Sequence, residues 1–200
     1  MGSEMCIRDS YYIMKAIILS AIKEETHSLN TEYDINHTGV GKVNAALSTL
    51  RTVKEEKPDL IINFGTAGSL NTNISGLIDC KYFVQRDMDS RPLGTDLGQT
   101  PFEKDPPMVI EIEDHPINTI NMNLICATGD SFVESDIGLK ADVVDMEAYA
   151  IAKVCYQESI PFACFKYISD FADESAANDF SENVKKAGIV FSEYLSDKSI

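Results

Sequence analysis

Apolar and polar positions alternate along this chain in blocks that switch between two periods. Residues 13–19 form a short apolar run with β-branched members, the pattern of a buried strand. Residues 21–29 are charged and open a helix. Across residues 43–56 the apolar positions Val43, Ala46, Leu47, Leu50 and Val53 recur at helical spacing, and Pro58 stops the helix. Residues 60–64 are a second buried strand, ending in the small-residue turn Gly65-Thr66-Ala67-Gly68. Residues 77–84 read as a strand. Residues 85–107 carry Asp, Gly and Pro without a period and read as a long loop, a feature that is usually functional inside a compact domain. Residues 108–112 and 124–127 are strands. Residues 143–155 form a helix with apolar positions at Val144, Ala148, Ile151, Ala152 and Cys155. A buried strand at 162–168 and an amphipathic helix at 178–194 complete the series.

Strands alternating with helices over short connections predict an α/β domain with a largely parallel or mixed central sheet. Such sheets bind ligands beyond the carboxyl ends of their strands. The 200-residue length fits one domain. Met14-Lys15, running straight into Ala16-Ile17-Ile18-Leu19, reads as a natural start. Residues 1–13 are therefore read as a non-native extension and residues 14–200 as the single domain. The polar stretch from Met1 to Ser10 lacks the apolar core of a signal peptide.

Composition narrows the function classes. The formal net charge is −15, which disfavours nucleic acid and anionic membrane surfaces as partners. No apolar run approaches the ~18 residues of a membrane span. The five cysteines are irregularly spaced without Cys-x-x-Cys, the usage of a reducing, cytoplasmic compartment. His27, His37 and His115 have no paired metal spacing, so neither a metal nor another cofactor is expected. Gly39-Val40-Gly41 lacks the third glycine of a dinucleotide fingerprint, since Asn44 stands there, which argues against a nicotinamide oxidoreductase. There is no Gly-x-Ser-x-Gly and no Gly-Lys-Ser/Thr loop.

Acidic residues stand where apolar strands end or helices open: Glu24 and Glu25, Asp130, Glu147, Asp170 and Asp173. Helix-capping acids favoured by the helix dipole would look the same. Two carboxyls in different environments would also suit cleavage of a glycosidic bond, one as acid and one acting on water.

Taken in order, six segments resemble the 5′-methylthioadenosine/S-adenosylhomocysteine nucleosidases, within the nucleoside phosphorylase/hydrolase family. They are Ala21-Ile22-Lys23-Glu24-Glu25, Thr38-Gly39-Val40-Gly41-Lys42-Val43, Ile61-Ile62-Asn63-Phe64-Gly65-Thr66-Ala67-Gly68, Thr128-Gly129-Asp130-Ser131-Phe132-Val133, Val144-Asp145-Met146-Glu147-Ala148 and Ile168-Ser169-Asp170-Phe171-Ala172-Asp173. The resemblance implies a three-layer α/β/α fold with a central mixed sheet. It implies hydrolysis of a 5′-modified adenine nucleoside, a small-molecule substrate, to adenine and the modified ribose. Asp170 would protonate the purine, Ser169 would orient that acid, and Glu25 would activate water. Glu147 and Met146 would hold the ribose, with Thr66 near the water. Phe132 would stack on adenine while the Val133 backbone reads its edge. Phe180, Ile22 and Leu93 would complete the substrate pocket.

A purine nucleoside phosphorylase and a non-catalytic nucleoside-binding protein are the alternatives. A phosphorylase needs cations for phosphate, and no arginine lies within residues 63–70 while Glu25 follows the first strand, so water is the preferred nucleophile. The resemblance further implies that residues 86–103 cover the 5′ substituent across a homodimer interface. Leu93, Leu97 and Phe102 would otherwise be exposed. The matching loop positions Ser90, Leu93 and Thr95 are more polar than the family's, which favours a polar 5′ end. Lys166 stands where the family often has arginine.

Overall fold

The computed structural model describes residues 14–133, 137–170 and 176–198, with side chains up to residue 169 and again from residue 183. The chain enters through β1 (Ala16–Ser20), whose five residues are all buried. A single helical turn, α1 (Lys23–Thr26), follows in place of the longer helix expected over residues 21–29. The edge strand β2 (Asp34–His37) is polar and carries no apolar pattern that sequence could register. Next come α2 (Lys42–Glu56), β3 (Leu60–Ser69), β4 (Leu77–Gln85), β5 (Val109–Glu111) and β6 (Leu124–Thr128). The last elements are β7 (Val143–Asp145), α3 (Ala148–Glu158), β8 (Phe162–Asp170) and α4 (Ala176–Ser196).

The sheet is mixed. β1 runs parallel to β2 and β3, and β3 runs parallel to β8. β4 pairs antiparallel with β8 and β5 but parallel with β6, and β7 links β6 to the end of β3. The pairings β3–β8–β4–β6–β7–β3 therefore close on themselves, and among the described residues β1, β2 and β5 lie outside that ring.

Alternation along β1 and β3 builds two cores. Ile17, Leu19 and Ile61 face α3, meeting Tyr149, Ile151 and Cys155. Ala16, Ile18, Leu60, Ile62 and Phe64 face α4, meeting Ala187, Phe191 and Leu195. Phe64 and Phe191 stack at 4.2 Å between ring centroids. Helices on both faces of a sheet give the three-layer arrangement that the resemblance implies.

Three readings need correction. Gly65 to Gly68 is not a turn but the interior of the ten-residue β3, paired with β8 up to Gly68. Gly65 reflects a close approach described below. Residues 143–145 are the short strand β7, buried between β3 and β6, so the helix begins only at Ala148. Three residues are too few to show a period of two, and tertiary pairing decides them. In α2 the core side is Ala45, Thr49, Thr52 and Val53, whereas the apolar Val43, Leu47 and Leu50 are exposed.

Candidate active site

The carboxyl ends of β1, β3, β6, β7 and β8 converge on one cavity of about 250 Å³. Its wall takes Ile22 from the β1–α1 turn, Glu25 from α1, and Thr66 to Gly68 from β3. Ser131 to Val133 follow β6, Val144 to Glu147 belong to β7 and the start of α3, and Ser169 comes from β8.

Glu25 is the most strongly held group. Its Oε2 accepts from Ser20 Oγ at 2.7 Å, from Ala21 N–H at 3.1 Å and from Ile22 N–H at 3.4 Å. Its Oε1 accepts from Thr66 N–H at 2.8 Å and from Thr66 Oγ1 at 2.9 Å. The carboxylate thereby bridges β1 and β3. A Cβ at Gly65 would stand 3.0 Å from Oε1, so a side chain there fits only if the Glu25 carboxylate gives way by a few tenths of an ångström. This close approach accounts for the glycine at Gly65.

Glu147 precedes α3 and is buried, and its Oε1 accepts from Gly41 N–H at 2.8 Å. Burial, and then the negative charge of Asp145, push its carboxyl up to about 7, although Lys166 and the Gly41 amide pull the other way. Two residues earlier, Asp145 forms an ion pair with Lys166 at 2.8 Å, and Lys166 is only 1% exposed. Asp145 also accepts from Thr128 Oγ1 at 2.5 Å and from Ala148 N–H at 2.8 Å. Burial alone would raise Asp145, but the Lys166 charge and these donors hold it below its usual range. Burial would likewise lower Lys166, yet the Asp145 charge keeps it well above its ordinary value. The pair fixes the β7–α3 junction from both sides, and with it Met146 and Glu147.

On the opposite side Phe132 is 63% exposed and Val133 buried, both lining the cavity. The pairing of β3 with β8 shifts register between Ala67 and Gly68, passing from Ile168 to Asp170, so Ser169 occupies a bulge. Bulges re-aim side chains beside active sites. Ser169 is buried on the cavity wall, 3.5 Å from Ala67 O through Oγ. Asp170 is the last residue of β8 and Phe180 lies in α4, and the side chains of both are outside the described residues. Asp173 lies outside them altogether.

The structure thus gathers Ile22, Glu25, Thr66, Phe132, Val133, Met146, Glu147 and Ser169 around one cavity. Leu93 stands apart, 65% exposed in the helical turn Arg91–Leu93 of the long loop and not on the cavity wall of this chain. The polar loop positions serve the loop itself. Ser90 Oγ lies 2.6 Å from Thr95 Oγ1 and donates to Gln99 O at 3.2 Å, which weakens their use as a reason to expect a polar 5′ group. Asp130 caps α2, accepting from Lys42 N–H at 2.8 Å, the structural alternative to a catalytic acid.

One wall residue escaped the sequence reading. Arg86, just past the end of β4, lines the cavity and donates to the carbonyls of Gly129 and Ser131. Its position after a strand end was the available signal, hidden because the motifs ran on either side of it.

A family model described as the phosphorylase superfamily matches residues 25–197. The 5′-methylthioadenosine/S-adenosylhomocysteine nucleosidase of Staphylococcus saprophyticus is 35% identical over 182 residues, covering 82% of this chain and 79% of the relative. Among solved structures, the futalosine hydrolase of Helicobacter pylori superposes with a TM-score of 0.81 at 24% identity, over 94% of this chain and 97% of the other. The 5′-methylthioadenosine/S-adenosylhomocysteine nucleosidase of the same organism also reaches 0.81 at 24% identity, over 92% and 97%. Those two likenesses concern the fold, and the closer sequence match decides the rest. On the family model and that match, the chain belongs to the phosphorylase superfamily and, within it, to the 5′-methylthioadenosine/S-adenosylhomocysteine nucleosidases.

Proposed function

We propose that this chain hydrolyses the N-glycosidic bond of 5′-modified adenine nucleosides, 5′-methylthioadenosine and S-adenosylhomocysteine. The observation that carries the choice of water over phosphate is Glu25. A carboxylate fixed by five donors occupies the wall where a phosphorylase would need cations. Arg86 does not reverse this, because its guanidinium is committed to two backbone carbonyls.

In this reading Glu25 takes a proton from water as its oxygen bonds to the anomeric carbon. The bond to the purine breaks and its electron pair passes to the ring. Asp170 supplies the proton that lets adenine leave neutral. Glu147 accepts from the ribose hydroxyls, Met146 packs on the sugar and Phe132 on the base. Phosphorus NMR of a turnover mixture containing phosphate tests the hydrolytic step. Only inorganic phosphate is expected, and a sugar 1-phosphate resonance would make the chain a phosphorylase.

The active species in this reading is a cytosolic homodimer. Val43, Leu47 and Leu50 on α2, Val40 on the cavity wall, and Leu93 and Phe102 on the loop are exposed apolar side chains that a second copy would cover. Four buried free thiols agree with a reducing compartment. Light scattering on the protein and on Val43→Asp tests the assembly: a dimer that the substitution splits is expected, and a monomeric parent protein would refute it.

A further inference from the structure

The backbone N–H of Arg86 donates to Thr128 O at 2.9 Å, so the chain leaves β4 beside the end of β6. Its Nη2 donates to Gly129 O at 3.3 Å and to Ser131 O, and its Nη1 lies 3.3 Å from Ser131 Oγ. The side chain sits directly on Gly129, where a Cβ would be 2.7 Å from Arg86 Cζ. Its Nε is buried without a hydrogen-bond partner among the described residues. The bonds of its two terminal nitrogens go to the turn at residues 129–131.

The turn at residues 129–131 leads directly into Phe132 and Val133 on the cavity wall. Phe132 is mostly exposed, so its place depends on the turn more than on packing. A second tether holds the turn from the other side, where Asp130 N–H donates to Asp87 Oδ2 at 2.9 Å and Lys42 pairs with Asp87.

We infer that Arg86 is a positioning residue for the base half of the cavity, its forked donors on Gly129 and Ser131 setting the turn that presents Phe132 and Val133 to the purine. The role in base binding rests on the proposed nucleosidase function. The hold on the turn does not. A planar fork can serve two carbonyls at once, whereas a lysine offers a point charge.

The test compares Arg86→Met and Arg86→Lys with the parent protein in two assays. Product inhibition by adenine and by 5-methylthioribose separates the two halves of the cavity. In Arg86→Met the inhibition constant for adenine rises roughly ten- to hundredfold, the range for hydrogen bonds from a charged donor. The constant for 5-methylthioribose stays within about twofold, and Arg86→Lys recovers only part of the loss. Amide hydrogen exchange in residues 129–133 accelerates in the same variant, while β6 keeps its protection. Equal weakening of both products, or full rescue by lysine, would overturn the inference. Unchanged exchange at the turn would overturn it as well. Should Arg86→Met fail to fold, Gly129→Ala displaces the guanidinium without removing its charge, and the same two readouts apply. If the parent protein binds neither product, the nucleosidase reading falls, and exchange at residues 129–133 still decides whether Arg86 holds the turn.

Discussion

Glu147 ties the chemistry of the cavity to the stability of the fold. Its carboxyl rises from 4.5 to about 7 on folding, because burial and Asp145 oppose its charge. The native state therefore keeps a proton that the unfolded chain releases between those two values. Its contribution to stability is full below pH 4.5, declines as pH rises to 7, and is level above. At 1.36 kcal/mol per pKa unit, the loss across that window is about 3 kcal/mol. Glu147→Gln removes the titration but keeps an oxygen to accept from Gly41. Urea unfolding of both proteins between pH 4.5 and 8.5 isolates the effect as a difference, since other titrating groups cancel. The variant is expected to gain about 3 kcal/mol on the parent protein from the acid to the alkaline end of that range. Parallel curves would refute the assigned burial and charge environment. Substrate affinity should move the other way in the parent protein. An ionised Glu147 accepts better from ribose hydroxyls, so KM is expected to fall as pH rises through 7.

Three further outcomes follow from the same geometry. Lys166→Met leaves Asp145 as an unpaired buried charge and is expected to cost about 3–5 kcal/mol in denaturant unfolding; an unchanged midpoint would show that the pair is dispensable. Gly65→Ala drives a methyl against Glu25 Oε1 and is expected to lower kcat by roughly tenfold or more with little change in KM, and a normal kcat would remove Glu25 from the reacting centre. Asp170→Asn is expected to abolish turnover with a parent-like circular dichroism spectrum; near-normal activity would refute Asp170 as the acid.

Much of this architecture is legible in the sequence, for identifiable reasons. The buried strands β1, β3 and β8 are apolar runs, and α2, α3 and α4 carry the helical period, so their existence shows. β2 and β7 do not show, being a polar edge strand and a three-residue strand fixed by its neighbours on either side. The Gly65–Gly68 run misleads because small residues mark both turns and close approaches, and only the Glu25 carboxylate against β3 distinguishes them. The apolar stripe of α2 locates the helix but not its core side, which uses Thr49 and Thr52 instead.

The cavity was legible mainly through the six ordered segments, since each contributes a wall at a strand end. What pattern could not give is the wiring between segments. The two Thr66 donors on Glu25, the Gly41 amide on Glu147 and the buried Asp145–Lys166 pair join residues distant in sequence, whereas the Ser20, Ala21 and Ile22 donors are local. Arg86 belongs to the same class. Its partners lie 43 and 45 residues away, and nothing in its local sequence announces them.

Water, activated by Glu25, cleaves the adenine nucleoside in this reading. The decisive assay is the rate of adenine release from 5′-methylthioadenosine in phosphate-free buffer, for the parent protein and for Glu25→Gln. Rapid release by the parent protein, unchanged on adding phosphate and lost in Glu25→Gln, is the result this account requires. Release that needs phosphate, or that survives the loss of the Glu25 carboxylate, would contradict it.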